Sequence, residues 1–215
     1  MGNIPIKDAN LCFVQQFFDE ELAARYFAEI LRDTHWHQQY INCFGKRTPL
    51  PRLTAWHGDD SIVYNYSGVS LPSQPWTATL QTIKDQLEIR LGLRFNGVLL
   101  NRYRDGSDSV SWHADDEKTL GDSPDIASVS LGASRRFQMK HRRIPNEKIS
   151  LELTSGRVLL MRGKTQDNWL HQLPKTKKNV GERINLTFRF IHTAFSGANR
   201  VDLTKSGSVF KPTSG

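Results

Sequence analysis

His113 and Asp115 stand two residues apart in Ser109-Val110-Ser111-Trp112-His113-Ala114-Asp115, a stretch that alternates like a strand and so puts both side chains on one face. His171 follows further down the chain. Two imidazoles and one carboxylate on a rigid scaffold suit ferrous iron and leave three positions open, enough for a chelating cosubstrate and dioxygen together. The His-x-Asp signal is weak by itself. With 7 His in 215 residues such a pair arises readily by chance, and a second copy stands at His57-Gly58-Asp59. Gly58-Asp59-Asp60-Ser61 is rich in loop formers, so the second copy reads as a turn and a decoy.

The stretch Arg183-Ile184-Asn185-Leu186-Thr187-Phe188-Arg189 alternates strictly. Arg183, Asn185, Thr187 and Arg189 must share one face of a strand, with Ile184, Leu186 and Phe188 packed behind them. A solvated surface strand gives the same pattern. If the polar face turns inward, its two guanidiniums require an anion, and a planar fork meets a carboxylate through two parallel hydrogen bonds. Asn101 and Tyr103 repeat the i, i+2 arrangement in an earlier stretch.

The elements that would position these groups are legible in outline. Asp19 caps a helix expected over about Glu20 to Arg32, with acidic residues in its first turn. A second helix is expected from about Thr77 to Leu91, ended by Gly92. Residues 36–75 carry no helical period and alternate aromatic and polar residues between Gly and Pro signals; they read as short strands and loops forming a substrate lid. From residue 95 onward eight short strands with turns at Asp105-Gly106, Pro145-Asn146 and Ser155-Gly156 predict a two-sheet jelly roll. The expected class is α+β: residues 1–75 an N-terminal helix and nucleotide-recognition lid, 76–192 the jelly-roll core with flanking helices, and 193–215 a flexible tail.

Composition narrows the setting. Two cysteines, Cys12 and Cys43, are too few for a disulfide framework or a zinc site of their own. No apolar run is long enough for a membrane span, and the N-terminus lacks the apolar stretch of a signal peptide. A cytoplasmic monomer is expected, nuclear if the source is eukaryotic. The net charge is +7, and basic residues gather at Arg135, Arg136, Lys140, His141, Arg142 and Arg143 and again at Lys175, Lys177 and Lys178. Such clusters are commonly solvated loops; here they bracket the metal-ligand candidates and favour a phosphate-bearing substrate.

Taken in order, Asn101-Arg102-Tyr103, His113-Ala114-Asp115-Asp116-Glu117, Ile126 to Gly132, His171 and Arg183 to Arg189 resemble the AlkB family of Fe(II)- and 2-oxoglutarate-dependent dioxygenases. The resemblance spans residues 40–191. Through Pro51 to Trp56, Tyr64 to Gly68 and the Asp-Asp-Glu run it is similar to the mammalian homologues that repair DNA. It implies a double-stranded β-helix, with iron held by His113, Asp115 and His171. It also implies that Arg183 pairs with the distal carboxylate of 2-oxoglutarate, helped by Asn101 and Tyr103, while Asn185 and Arg189 serve the metal-proximal end. With O2 as second cosubstrate, a methyl on a ring nitrogen would leave as formaldehyde while 2-oxoglutarate becomes succinate and CO2.

On the substrate side the resemblance implies that Tyr66, with Tyr64 and Ser67 beside it, stacks a flipped base against His113. Glu117 would attract the cationic ring of 1-methyladenine or 3-methylcytosine. The loop Cys43-Phe44-Gly45-Lys46 resembles a wedge that fills the gap left by a flipped base, and Lys46, Lys140, Arg142 and Arg143 would touch phosphates. The expected partner is alkylated DNA, single- or double-stranded. An RNA demethylase with the same metal centre remains open, as does a silent nucleic-acid-binding module.

Overall fold

The computed structural model describes residues 2–43, 45–60, 62, 64–66, 69–71 and 73–192, and at 43, 64–66 and 69–71 the backbone alone. Phe44, Ser67, the side chains of Tyr64 and Tyr66, and the tail 193–215 therefore lie outside the described residues.

Two antiparallel sheets face each other. The large one has eight strands: β1 (Gly2–Ile4), β2 (Asn10–Val14), β3 (His37–Cys43), β4 (Lys46–Gly58), β7 (Gly97–Tyr103), β9 (Ile126–Gly132), β12 (Val158–Arg162) and β14 (Arg183–Arg189). Their order is β1-β2-β12-β9-β14-β7-β4-β3, which puts β14 in the interior. The small sheet runs β11 (Lys148–Leu153), β10 (Arg135–His141), β13 (Trp169–Leu173), β8 (Val110–His113). A separate hairpin pairs β5 (Tyr64–Tyr66) with β6 (Val69–Leu71). This is the jelly-roll arrangement, in which two sheets enclose a core between their inner faces.

Helix α1 (Glu20–Asp33) starts where Asp19 accepts a hydrogen bond from the Leu22 N–H at 2.8 Å. Helix α2 (Ala78–Leu91) starts at Thr77 and stops at Gly92, whose φ of 68° lies in the left-handed region that glycine enters without steric cost. Both helices cover the outer face of the large sheet. Ile184, Leu186 and Phe188 of β14, Val98 and Leu100 of β7, and Ala127 and Val129 of β9 form one core with Tyr26, Ile30, Leu80, Ile83 and Leu87. A second core, with Ile126, Phe137, Met139, Met161 and Trp169, lies between the sheets.

The observed architecture differs from expectation at three places. The stretch read as a lid is, over Lys46–Gly58, a long interior strand of the large sheet, paired residue by residue with β7 from Leu53 to Gly58. Gly97 is required there because a Cβ would run into the Trp56 ring. His57-Gly58, read as a turn, closes that strand, and the turn follows at Asp59 and Asp60. His57 nonetheless belongs to no group among the described residues that could hold an ion; it is buried, and its Nδ1 lies 2.7 Å from the Pro75 carbonyl. Finally, the N-terminal residues add β1 and β2 to the large sheet beside β12, a pairing that short-range pattern does not announce.

Candidate metal centre and cosubstrate pocket

His113 ends β8 and His171 is the middle residue of β13, and the two are directly paired across the ladder. Their ring centroids are 4.2 Å apart. Asp115 lies just past the end of β8, where no ladder holds it, yet its side chain is buried. Its Oδ1 is 3.8 Å from His113 Nε2. One donor atom from each of the three lies within 4.8 Å of the others, close enough for a single ion to reach all three.

The protonation states suit a metal. His113 Nδ1 lies 2.8 Å from the Ser111 carbonyl, which can only accept, so Nδ1 carries the proton and Nε2 presents its lone pair. Burial, reinforced by the neighbouring His113, pushes the His171 imidazole down to about 3 and keeps it neutral. For Asp115, burial acts to raise the carboxyl; Arg189 first, then His171 and His113, outweigh it and hold the group well below the usual carboxylate range. Arg189 Nη2 donates to Asp115 Oδ2 at 2.6 Å, with both side chains almost fully buried. The other carboxylate oxygen, Oδ1, is buried with no hydrogen-bond partner among the described residues, a cost that a bound cation removes.

The polar face of β14 turns inward. Arg183, Asn185, Thr187 and Arg189 line one cavity with Asn101 and Tyr103 of β7 and the three ligand candidates. Cross-strand pairing sets Arg183 opposite Tyr103 and Asn185 opposite Asn101. Arg183 is 2% exposed and meets the Ser130 hydroxyl at 3.0 Å. Its Nε is buried with no partner among the described residues, and burial pushes the guanidinium down to about 10. It stays charged at neutral pH. A buried cation that meets a hydroxyl and the Tyr103 ring, 5.4 Å away, fits the carboxylate of an entering ligand. Residues present thus fit both a ferrous ion and 2-oxoglutarate.

Other predicted residues are placed as follows. The Asn185 amide is engaged within the protein: Nδ2 donates to Ser128 Oγ at 2.8 Å and the Val129 carbonyl at 3.0 Å, and Oδ1 accepts from Thr187. Arg189 is held on Asp115, so it acts at the metal end through a ligand. Glu117 is half-buried two residues past Asp115. Arg142 Nη2 donates to Asp116 Oδ2 at 2.6 Å, and Arg143 is exposed.

The basic cluster separates into two kinds of residue. Arg135 is 2% exposed and donates to the Asp105, Asp108 and Pro174 carbonyls; His141 is buried with Nδ1 accepting from the Arg143 and Ile144 N–H groups. Both side chains are engaged within the protein.

Several contributing residues carried no assigned role in the sequence reading. Arg52, buried on β4, donates from Nε to Asn101 Oδ1 at 2.9 Å. Ser128 and Ser130 hold Asn185 and Arg183. The alternation Ala127-Ser128-Val129-Ser130-Leu131 was the available signal for the serines; Arg52 had none, because its partner is 49 residues away.

Comparison with known proteins agrees with this geometry. The sequence model described as the 2OG-Fe(II) oxygenase superfamily matches residues 10–189, from β2 to the end of β14. The alpha-ketoglutarate-dependent dioxygenase alkB homolog 3 of Rattus norvegicus is 37% identical over 203 residues, covering 90% of this chain and 68% of that protein. The DNA oxidative demethylase ALKBH2 of Homo sapiens is 36% identical over 190 residues, covering 84% and 73%. In fold, the solved structure of OsALKBH1 matches with a TM-score of 0.60 at 14% identity, over 88% of this chain and 100% of that one. The chain therefore belongs to the 2OG-Fe(II) oxygenase superfamily and, within it, to the AlkB dioxygenases, enzymes that depend on Fe(II) and 2-oxoglutarate.

Proposed function

We propose that this dioxygenase is an oxidative demethylase that repairs N-alkylated bases in DNA, such as 1-methyladenine and 3-methylcytosine, releasing formaldehyde, succinate and CO2. The observation that carries the reading is the convergence of His113, Asp115 and His171 beside a cavity that also holds the buried Arg183 guanidinium. Relatives that include a DNA oxidative demethylase support the substrate class.

When bound, iron, 2-oxoglutarate and dioxygen would together supply an oxidant able to take a hydrogen atom from a methyl group on a ring nitrogen. The protein's share is positioning and exclusion of water. His113, Asp115 and His171 hold the ion, and Arg189 keeps Asp115 ionised and aimed. Arg183 receives the distal carboxylate of 2-oxoglutarate beside Tyr103. Arg52 can only donate, so Asn101 turns Oδ1 toward it and leaves Nδ2 for the cavity. Leu99, Val110, Phe137 and Leu173 make the remaining wall apolar.

A base must be unpaired or flipped to reach this cavity. Tyr64 and Tyr66 on the β5–β6 hairpin, with Ser67, would stack it against His113. Glu117 favours the cationic methylated ring over the neutral parent base. Arg142 and Arg143 would meet flanking phosphates, Arg142 by exchanging Asp116 for a phosphate oxygen, and Phe44 would fill the gap in a duplex.

Mass spectrometry of 1-methyladenine and 3-methylcytosine in matched DNA and RNA oligonucleotides, with and without complement, tests the reading. The expected result is loss from DNA that requires Fe(II) and 2-oxoglutarate. Loss confined to RNA would move the substrate to RNA, and an absence of both loss and succinate would sink the demethylase. A Phe44→Ala variant impaired equally on single and double strands would remove the wedge.

A further inference from the structure

Asp115 is the ligand candidate whose backbone no strand supports, since β8 ends at His113. Its side chain is fixed from one side by Arg189. Its backbone N–H donates to Oε1 of Gln166 at 3.0 Å, inside the protein. Gln166 is 1% exposed and sits on α3 (Thr165–Asn168), the single turn that leads directly into β13 and His171.

The other end of the amide meets the Met161 sulfur at 3.5 Å, a weak acceptor. An aliphatic side chain would fill the same buried space without desolvating an amide, so packing does not account for a glutamine here. The turn itself is anchored independently. Thr165 Oγ1 donates to the Arg162 carbonyl at 2.6 Å and accepts from the Asn10 N–H at 3.0 Å, and Trp169 Nε1 donates to the Lys7 carbonyl at 2.9 Å. A rigid turn leading into one ligand strand thus reaches across to grip the loop that carries another ligand.

We propose that Gln166 is a positioning residue of the metal centre: its side-chain carbonyl sets the backbone of Asp115 and thereby locks the spacing between the Asp115 carboxylate and His171. The inference rests on the metal-centre reading above. Groups behind the ligands commonly set metal affinity on the order of 10–100-fold. Gln166 acts on the backbone of a ligand, so its effect appears in metal binding before any turnover.

Cobalt(II) titrated into the metal-free full chain, followed by its visible absorption, is the test. Wild type is expected to bind and His113→Ala to fail. If wild type gives no band that His113→Ala removes, the centre itself is misread, whatever Gln166 does. Given a wild-type band, Gln166→Leu is expected to bind about tenfold or more weakly with an altered band shape. Its metal-free melting temperature should fall by only a few degrees, because the buried Asp115 N–H loses its acceptor while the fold is kept. Gln166→Glu keeps an acceptor at the same reach and is expected to restore binding. If Gln166→Leu does not fold, Gln166→Asn, one methylene too short to reach, takes its place. Wild-type cobalt affinity in the Leu or Asn variant, or a loss in Gln166→Glu as deep as in Gln166→Leu, would overturn the proposal.

Discussion

The two sheets meet across the cavity with different chemistry and different means of support. The large sheet contributes guanidinium and amide groups from β14 and β7, both interior strands hydrogen-bonded on each edge. The small sheet contributes imidazoles from β13 and from β8, its edge strand, and the carboxylate from the loop beyond. Ladders therefore preorganise the cosubstrate side. Ladder pairing also sets His113 opposite His171, whereas Asp115, beyond the end of β8, depends on discrete side-chain contacts from Arg189 and Gln166. Placement by backbone pairing tolerates change in one neighbour, because many bonds share the load; placement by single contacts does not.

The sharpest way to break this contrast is at the metal. His171→Ala should abolish both metal binding and turnover while leaving the large sheet folded, read by cobalt titration beside circular dichroism; retained binding would remove His171 from the centre. Next in size is the large sheet's own support. Phe188, fully buried and stacked on Trp76 at 6.3 Å, should cost about 3–5 kcal/mol of stability when truncated to Ala, measured by urea unfolding. A loss below about 1 kcal/mol, the scale of a typical single substitution, would mean that the ladder and not the core sustains β14.

Arg183→Lys keeps the charge and loses the planar fork. Charged hydrogen bonds are worth about 1.5–3 kcal/mol, so KM for 2-oxoglutarate should rise roughly 10–100-fold with metal affinity unchanged. A parallel fall in metal affinity would show that the two halves of the cavity are coupled.

The smallest effect is expected in the turn that leads from β7 to β8. Burial acts to raise the Asp108 carboxyl, and hydrogen bonds from the Arg104 side chain and N–H, at 2.8 and 2.9 Å, outweigh it and leave it lowered. A carboxyl lowered in the fold contributes stability above its unfolded pKa of about 3.9 and loses it as pH falls through the folded value. Wild type should therefore exceed Asp108→Asn in stability at neutral pH, the gap closing below about pH 4. A gap independent of pH, in acid unfolding of the two proteins, would locate the effect in packing.

Local pattern carried much of this structure. Asp19 and the acidic first turn marked α1, and Gly92 marked the end of α2, because capping depends on residues within one turn. Strand alternation likewise sorted Arg183, Asn185, Thr187 and Arg189 from Ile184, Leu186 and Phe188 without reference to anything else in the chain. Lys46–Gly58 read as short strands and loops because its Pro and Gly residues are loop signals, whereas its pairing with β7 lies some 45 residues away in sequence and overrides them. Arg135 and His141 looked like surface charge because sequence cannot tell an arginine in solvent from one that satisfies three carbonyls.

Sequence by itself determined which side chains share a face, since that follows from the two-residue period of an extended chain. It also offered His113, Asp115 and His171 as ligand candidates, and these three lie together in the fold. Tertiary structure decided which way each face turned and which of two His-x-Asp pairs met a third ligand. His57 and His113 are alike in pattern, but only His113 is set opposite His171 by ladder register. Register is fixed by pairing between distant segments and by the side chains, such as Arg52, Arg189 and Gln166, that reach between them, and no local period encodes either.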